Sequence, residues 1–204
     1  MGTYFQTHTS DMSASLSCSS VAHSIAQMET TVEKTSIDET SGSINQFNEE
    51  IGSSLLSVIT NLFAKGKYLP VVEIADELVS SYPKSFFLHN VLGESYAFLG
   101  ENQKAIVHFK IALEICSFER NEHLRSSCMS NIYNNIGIAF KSIGFLEESE
   151  AHLIKAINLN PLHASAYNNF GNLLNEKADL PGAQEKFLKA IDIEPNGYSA
   201  YWNL

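Results

Sequence analysis

The chain has 204 residues, a formal net charge of −10 and no basic stripe, which excludes a nucleic-acid partner and leaves little attraction to an anionic membrane surface. Three cysteines without a Cys-x-x-Cys pair exclude a disulfide frame. Seven scattered histidines without His-Glu-x-x-His or other ligand spacing argue against a metal site, so neither metal nor cofactor is expected.

Residues 1–43 form a distinct polymer. Ser and Thr make up 15 of the first 40 residues, with no apolar period. Residues 1–50 carry −6 of the net charge, from seven acids and one lysine. Such a segment cannot bury enough apolar surface to offset the entropy of ordering it, so a disordered tail is expected, either as a plain linker or as a regulated, phosphate-carrying segment. Nothing here has the basic start and apolar core of a secretory signal, and no stretch approaches a membrane span. Met1 and Gly2 open like a myristoylation site, but Gln6 stands where Ser or Thr is needed. A cytoplasmic protein is expected. From Ile44, the residues Ile44, Phe47, Ile51, Leu55, Val58, Ile59 and Leu62 recur at helical spacing. That spacing predicts one long amphipathic helix, suited to cap the start of an array.

The rest repeats itself. Gly137 and Gly171 stand 34 residues apart, as do Tyr133 and Tyr167, Asn135 and Asn169, Ala156 and Ala190, and Pro161 and Pro195. A fixed period of this length marks a stacked array. The units run 52–85, 86–119, 130–163 and 164–197, with a partial fifth at 198–204. The first fits most loosely, with Ile59 in the glycine place and Val71 and Leu78 in alanine places. Each unit has two apolar stripes broken by a central turn, at Gly66, Gly100, Gly144 and Ala178. Pro83, Pro161 and Pro195 close three of them. Between the second and third units the period stretches by ten residues, Arg120–Met129. Either the preceding helix runs on, or Asn121 caps a longer first helix of the third unit. Cys116 and Cys128 flank this insertion and read as small half-buried residues rather than a bridge. His108, His152 and His163 are expected on helix surfaces or ends.

The fourth unit places Tyr167, Phe170, Gly171, Leu174, Ala183, Phe187, Ala190 and Pro195 in a pattern that resembles the tetratricopeptide repeat, and the third follows it closely. The resemblance, over about residues 52–204, implies an all-α, right-handed superhelical solenoid of helix-turn-helix repeats, in an array that the helical spacing extends back to residue 44. It implies a non-catalytic scaffold that binds a peptide or partner protein in its concave groove. It also implies that positions 2, 5, 6, 9, 12 and 13 of each unit line or rim that groove. Those places hold Asn131, Asn134, Asn135 and Lys141 in the third unit, Asn168, Asn169 and Asn172 in the fourth, and Asn203 in the fifth. An Asn side chain offers one acceptor and two donors and can pair with both groups of a peptide unit. The arrangement resembles the asparagine ladder of O-linked N-acetylglucosamine transferases. Asn at position 6 also serves helix packing in the family, and both readings stay open here. Binding of chaperone C-terminal tails is not expected. The cations that family sites use are replaced by Asn90, Asn131, Asn134 and Asn135.

No nucleophile elbow, phosphate loop or dinucleotide fingerprint occurs. Ser81 and Lys84 have Ser-x-x-Lys spacing but straddle a unit boundary without a partner motif. The chain is expected to be no enzyme as given. Because the fifth unit stops at Leu204, where the glycine should follow, two alternatives stand beside the scaffold. One is a recruiting array of a larger glycosyltransferase- or sulfotransferase-type enzyme. The other is self-association through an uncapped C-terminal edge.

Overall fold

A computed structural model describes residues 51–204. The expected tail over residues 1–43 and the expected helical start at Ile44 lie outside these residues. Helix α1, Ser53–Ala64, begins after Gly52, whose backbone is extended at φ −52° and ψ 133°. A single helix running from Ile44 through Leu62 is therefore corrected. Ile51 enters the core from a bend, only 2% exposed, and Gly52 breaks the helical path before Ser53.

Eight helices follow: α2 Tyr68–Ser81, α3 Phe86–Phe98, α4 Asn102–Ser117, α5 Glu122–Ser142, α6 Leu146–Leu159, α7 Ala164–Glu176, α8 Leu180–Ile193 and α9 Tyr198–Asn203. No strand occurs among the described residues. Each helix packs on the next in sequence, so α1–α2, α3–α4, α5–α6 and α7–α8 are hairpins stacked side by side. The insertion forms a corner and an extension: α4 stops at Ser117, and α5 runs for 21 residues. Asn121 Oδ1 accepts from the Leu124 amide at 3.1 Å, the cap that starts α5. Glu119 Oε1 accepts from the Asn121 amide at 2.9 Å, and Arg125 Nη1 donates to the Glu119 carbonyl at 2.8 Å. Cys116 and Cys128 are free thiols buried where α4 meets α5.

Within each hairpin the helices approach at one glycine. A Cβ built on Gly93 would lie 2.6 Å from the ring of Phe109; on Gly137, 2.8 Å from Leu153; on Gly171, 2.4 Å from Phe187. In every case the contacted side chain stands 16 residues later, on the second helix. The three partners are at most 1% exposed. In the first unit, where Ile59 replaces the glycine, the residue 16 positions later is the small Ala75, and both are fully buried; aromatics gather instead beside the α1–α2 turn, against the end of α3. Tyr68 stacks on Phe98 at 4.3 Å between centroids, and Phe63 meets both edge-on.

Polar bonds tie the units end to end. Tyr96 Oη donates to Asp76 at 2.6 Å, linking α3 to α2. His89 Nε2 lies 3.1 Å from the Pro83 carbonyl, which can only accept, so Nε2 carries the proton and neutral His89 keeps Nδ1 as an acceptor. His108 Nδ1, 3.1 Å away, then donates to it. Surface or helix-end positions for the histidines are therefore corrected in part. His108 is half-buried against Tyr96 and His89, and His152 against Phe140 and Tyr133. His163 does precede α7, but its ring tucks against Ser130, at 2.9 Å from the hydroxyl.

The turns of the last three complete hairpins place Gly100, Gly144 and Ala178 at positive φ, with Ala178 at 62°. A Cβ in this left-handed region costs roughly 1–2 kcal/mol. Ala178→Gly is expected to stabilise the fold by about 1 kcal/mol, less the entropy of the added glycine. Gly171→Ala, which forces a Cβ into the Phe187 ring, is expected to destabilise it by about 1–3 kcal/mol. Urea midpoints of the two variants, shifted in opposite directions from wild type, check both.

Candidate functional site

The asparagines of the first helices form a bonded seam. Position 6 of one unit donates to position 5 of the unit before it. Asn169 Nδ2 reaches Asn134 Oδ1 at 2.9 Å, and Asn203 Nδ2 reaches Asn168 Oδ1 at 3.0 Å. Asn134 Nδ2 passes the chain sideways to Asn135 Oδ1 at 3.3 Å. Asn135 Nδ2 then contacts Glu94 Oε1 at 3.4 Å, and Asn90 Nδ2 donates to the same oxygen at 3.1 Å. The line thus runs across α3, α5 and α7, with a parallel link from α7 to α9.

The eight residues singled out by the sequence do not behave alike. Asn134, Asn135, Asn168 and Asn169 are buried, at 2–7% exposure, and their amides are engaged between units. Asn203 is half-buried at the end of the α7–α9 link. Asn131 and Asn172 are half-buried and make no side-chain hydrogen bond to another described residue. Lys141 meets Glu176 at 3.5 Å, a half-exposed bridge between α5 and α7 of the kind that contributes about 0–1 kcal/mol. Each seam amide has two N–H groups and two lone pairs, and the contacts above use at most part of them.

Sequence reasoning missed Glu94. It occupies position 9 of the second unit, where the third and fourth units carry Ile138 and Asn172. The signal was an acid standing four residues after Asn90 on a face otherwise free of charge in α3. Only 3% of Glu94 is exposed, and burial pushes its carboxyl up to about 8 from the usual 4.5, against the pull of the Asn90 and Asn135 amides. None of the ion pairs among the described residues includes it. No group of three or more metal-ligating side chains occurs among the described residues, and no described helix is long and apolar enough to cross a membrane.

Residues 130–161 match the family model for the tetratricopeptide repeat. The fold is a right-handed tetratricopeptide-type solenoid. No curated protein matches the chain. Among solved structures it is similar to MamA, at TM-score 0.58 and 22% identity over 72% of this chain and 80% of that one. MamA from Desulfovibrio magneticus RS-1 aligns at TM-score 0.60 and 16% identity, over 86% of this chain and 95% of the other. In the complex of Cut9 with Hcn1, the likeness reaches TM-score 0.65 at 19% identity, over 74% of this chain and 28% of the other. At these identities the likeness is one of fold.

Two buried groups titrate against folding in opposite directions. Glu94 has a folded value above its unfolded one, so its contribution is fully present below about pH 4.5 and is lost as pH rises toward 8. Burial pushes the His163 imidazole down to about 4 from 6.5, so its contribution is full above pH 6.5 and is lost as pH falls toward 4. Burial lowers His89, His108 and His152 in the same sense. Below about pH 6.5 the histidines are expected to lower the stability of Glu94→Gln toward acid, a loss that Glu94 opposes in wild type. From pH 5 to pH 8 the variant should gain steadily on wild type, by up to about 1.4 kcal/mol per pH unit. A constant difference between their urea midpoints across that range would refute the assignment to Glu94.

Proposed function

We propose that the protein is a binding scaffold that holds an extended peptide or partner segment along the layer of first helices, without chemistry of its own. The observation that carries this reading is the pair Asn131 and Asn172, half-buried amides that flank the Asn seam without a side-chain hydrogen bond to another described residue. The buried amides of Asn134, Asn135, Asn168 and Asn169 hold neighbouring first helices in register. Asn131 and Asn172, three residues before Asn134 and three after Asn169, are left to pair with a peptide backbone. In this division of labour Lys141 and Asn203 stand at the margins of the seam. A backbone-directed contact reads little side-chain sequence, and each bond contributes about 1 kcal/mol, so several must act together.

Self-association is a second reading, favoured by one surface. Tyr198, Tyr201, Trp202 and Leu204 are 52–87% exposed and lie close together on and after α9. Trp and Tyr anchor interfaces because they bury large area with few rotors. A monomeric mass by sedimentation at high concentration would remove this reading.

For the main reading, a fluorescent pool of capped, degenerate seven-residue peptides serves as probe. Asn131→Ala with Asn172→Ala should abolish retention of the pool while leaving the urea midpoint near wild type. Asn169→Ala should cost about 1 kcal/mol of stability by removing the bond to Asn134. Retention of the pool by the double variant at wild-type strength would overturn the groove assignment.

A further inference from the structure

We propose that Glu94 is the specificity point of this layer, the anion that receives a lysine or arginine side chain from the bound peptide. The inference rests on the groove reading above and gives its ligand a chemistry. Two buried acids occur among the described residues, Glu94 and Glu119. Glu119 is explained by structure: its carboxylate accepts the Asn121 amide at the corner before α5, and Arg125 sits on its carbonyl. Glu94 joins the seam by accepting from Asn135, a role that needs only an acceptor oxygen and no charge. It caps no helix, forms no ion pair with a described residue and receives only two side-chain amides, both on Oε1.

Its placement is that of a ligand contact. Gly93 faces Phe109 on the second helix of the same hairpin, and Tyr96 faces Asp76 on the hairpin before. Glu94 turns from both toward Asn135 on the next first helix, into the seam. Asn90, half-exposed, lies beside it. Rotating the Asn90 amide away would free Oε1 to accept from an entering side chain. A buried carboxyl without a cation is costly to ionise, and it is held near neutrality until a cation arrives. An ammonium or guanidinium supplies the missing charge and donors together, while Asn135 keeps its bond to Oε1. A glutamine in the same place leaves the buried acid uncompensated, and an acidic residue is repelled. Retaining such an acid costs the empty scaffold stability, which is the pattern of a site kept for binding rather than for folding.

The test uses the full chain, its Glu94→Gln variant and the Asn131→Ala/Asn172→Ala variant at pH 7.5. The probes are three labelled seven-residue pools, degenerate except for a central Lys, Arg or Gln. Wild type is expected to bind the Lys or Arg pool roughly tenfold or more above the Gln pool. In Glu94→Gln that preference should vanish while the urea midpoint stays at or above wild type, which separates lost recognition from lost folding. Equal binding of the three pools by wild type, abolished in the double Asn variant, would overturn the basic-residue site and leave the groove reading standing. A preference that survives in Glu94→Gln would overturn it as well. Retention of no pool by wild type would remove both readings together.

Discussion

The close approach of two helices at a single glycine governs the rest of this structure. Gly93, Gly137 and Gly171 each give up a side chain so that Phe109, Leu153 or Phe187 can lie against bare backbone. That contact is local, between residues 16 apart, and it recurs at every hairpin that has the glycine. It fixes how the two helices of a unit sit, and hence which faces remain for neighbouring units. Because interiors pack at near-crystalline density, a repeated contact of this kind produces a repeated shape. The ten extra residues between the second and third units are accommodated without disturbing it. They enter a short corner and two added turns of α5, and the glycine of the third unit still meets Leu153.

The polar seam follows from this repetition. Two of its bonds span 35 residues, one more than the period, because position 6 of one unit reaches position 5 of the one before. Had the hairpins differed in crossing geometry, the donors and acceptors would not have returned to the same spacing. Where the second unit breaks the pattern, Asn135 turns to Glu94, which Asn90 also serves. The carboxyl thus replaces a simple amide-to-amide step at that junction. A buried acid in this position changes the electrostatics of the layer without changing its shape.

The fold was legible because periodicity records packing directly. Glycine, alanine and aromatic places recur where backbones meet, and the turn residues recur between them. Three features were not legible, for distinct reasons. The break at Gly52 was hidden because apolar spacing continues across it: Ile51 is buried from a bend, and a count of intervals cannot distinguish that from a helical turn. Burial of Asn134, Asn135, Asn168 and Asn169 was hidden because helical position assigns a face but not the distance to the adjacent unit. Both readings of these residues were open in sequence, and their mutual bonds favour packing for the buried four. His108 and His152 were misplaced because hydropathy treats histidine as a surface residue, whereas His108 is half-buried against His89 and Tyr96 and His152 against Phe140 and Tyr133.

The same comparison separates residues that hold the array from residues free to act on something else. An amide bonded to its counterpart in the next unit already has a structural reason to be there, and removing it loosens the stack. Glu94 has the opposite profile. Its two amide contacts do not offset the cost of its burial, so the folded chain carries an acid that disfavours ionisation well into the neutral range. Replacement by an uncharged isostere removes that cost while retaining the shape. The seam bond from Asn135 needs only an acceptor, which an uncharged amide oxygen also supplies, whereas the acid function at this place is what a cation brought by a ligand would use. The physical distinction is between a polar group whose partners come from the fold and one whose natural partner must come from outside it.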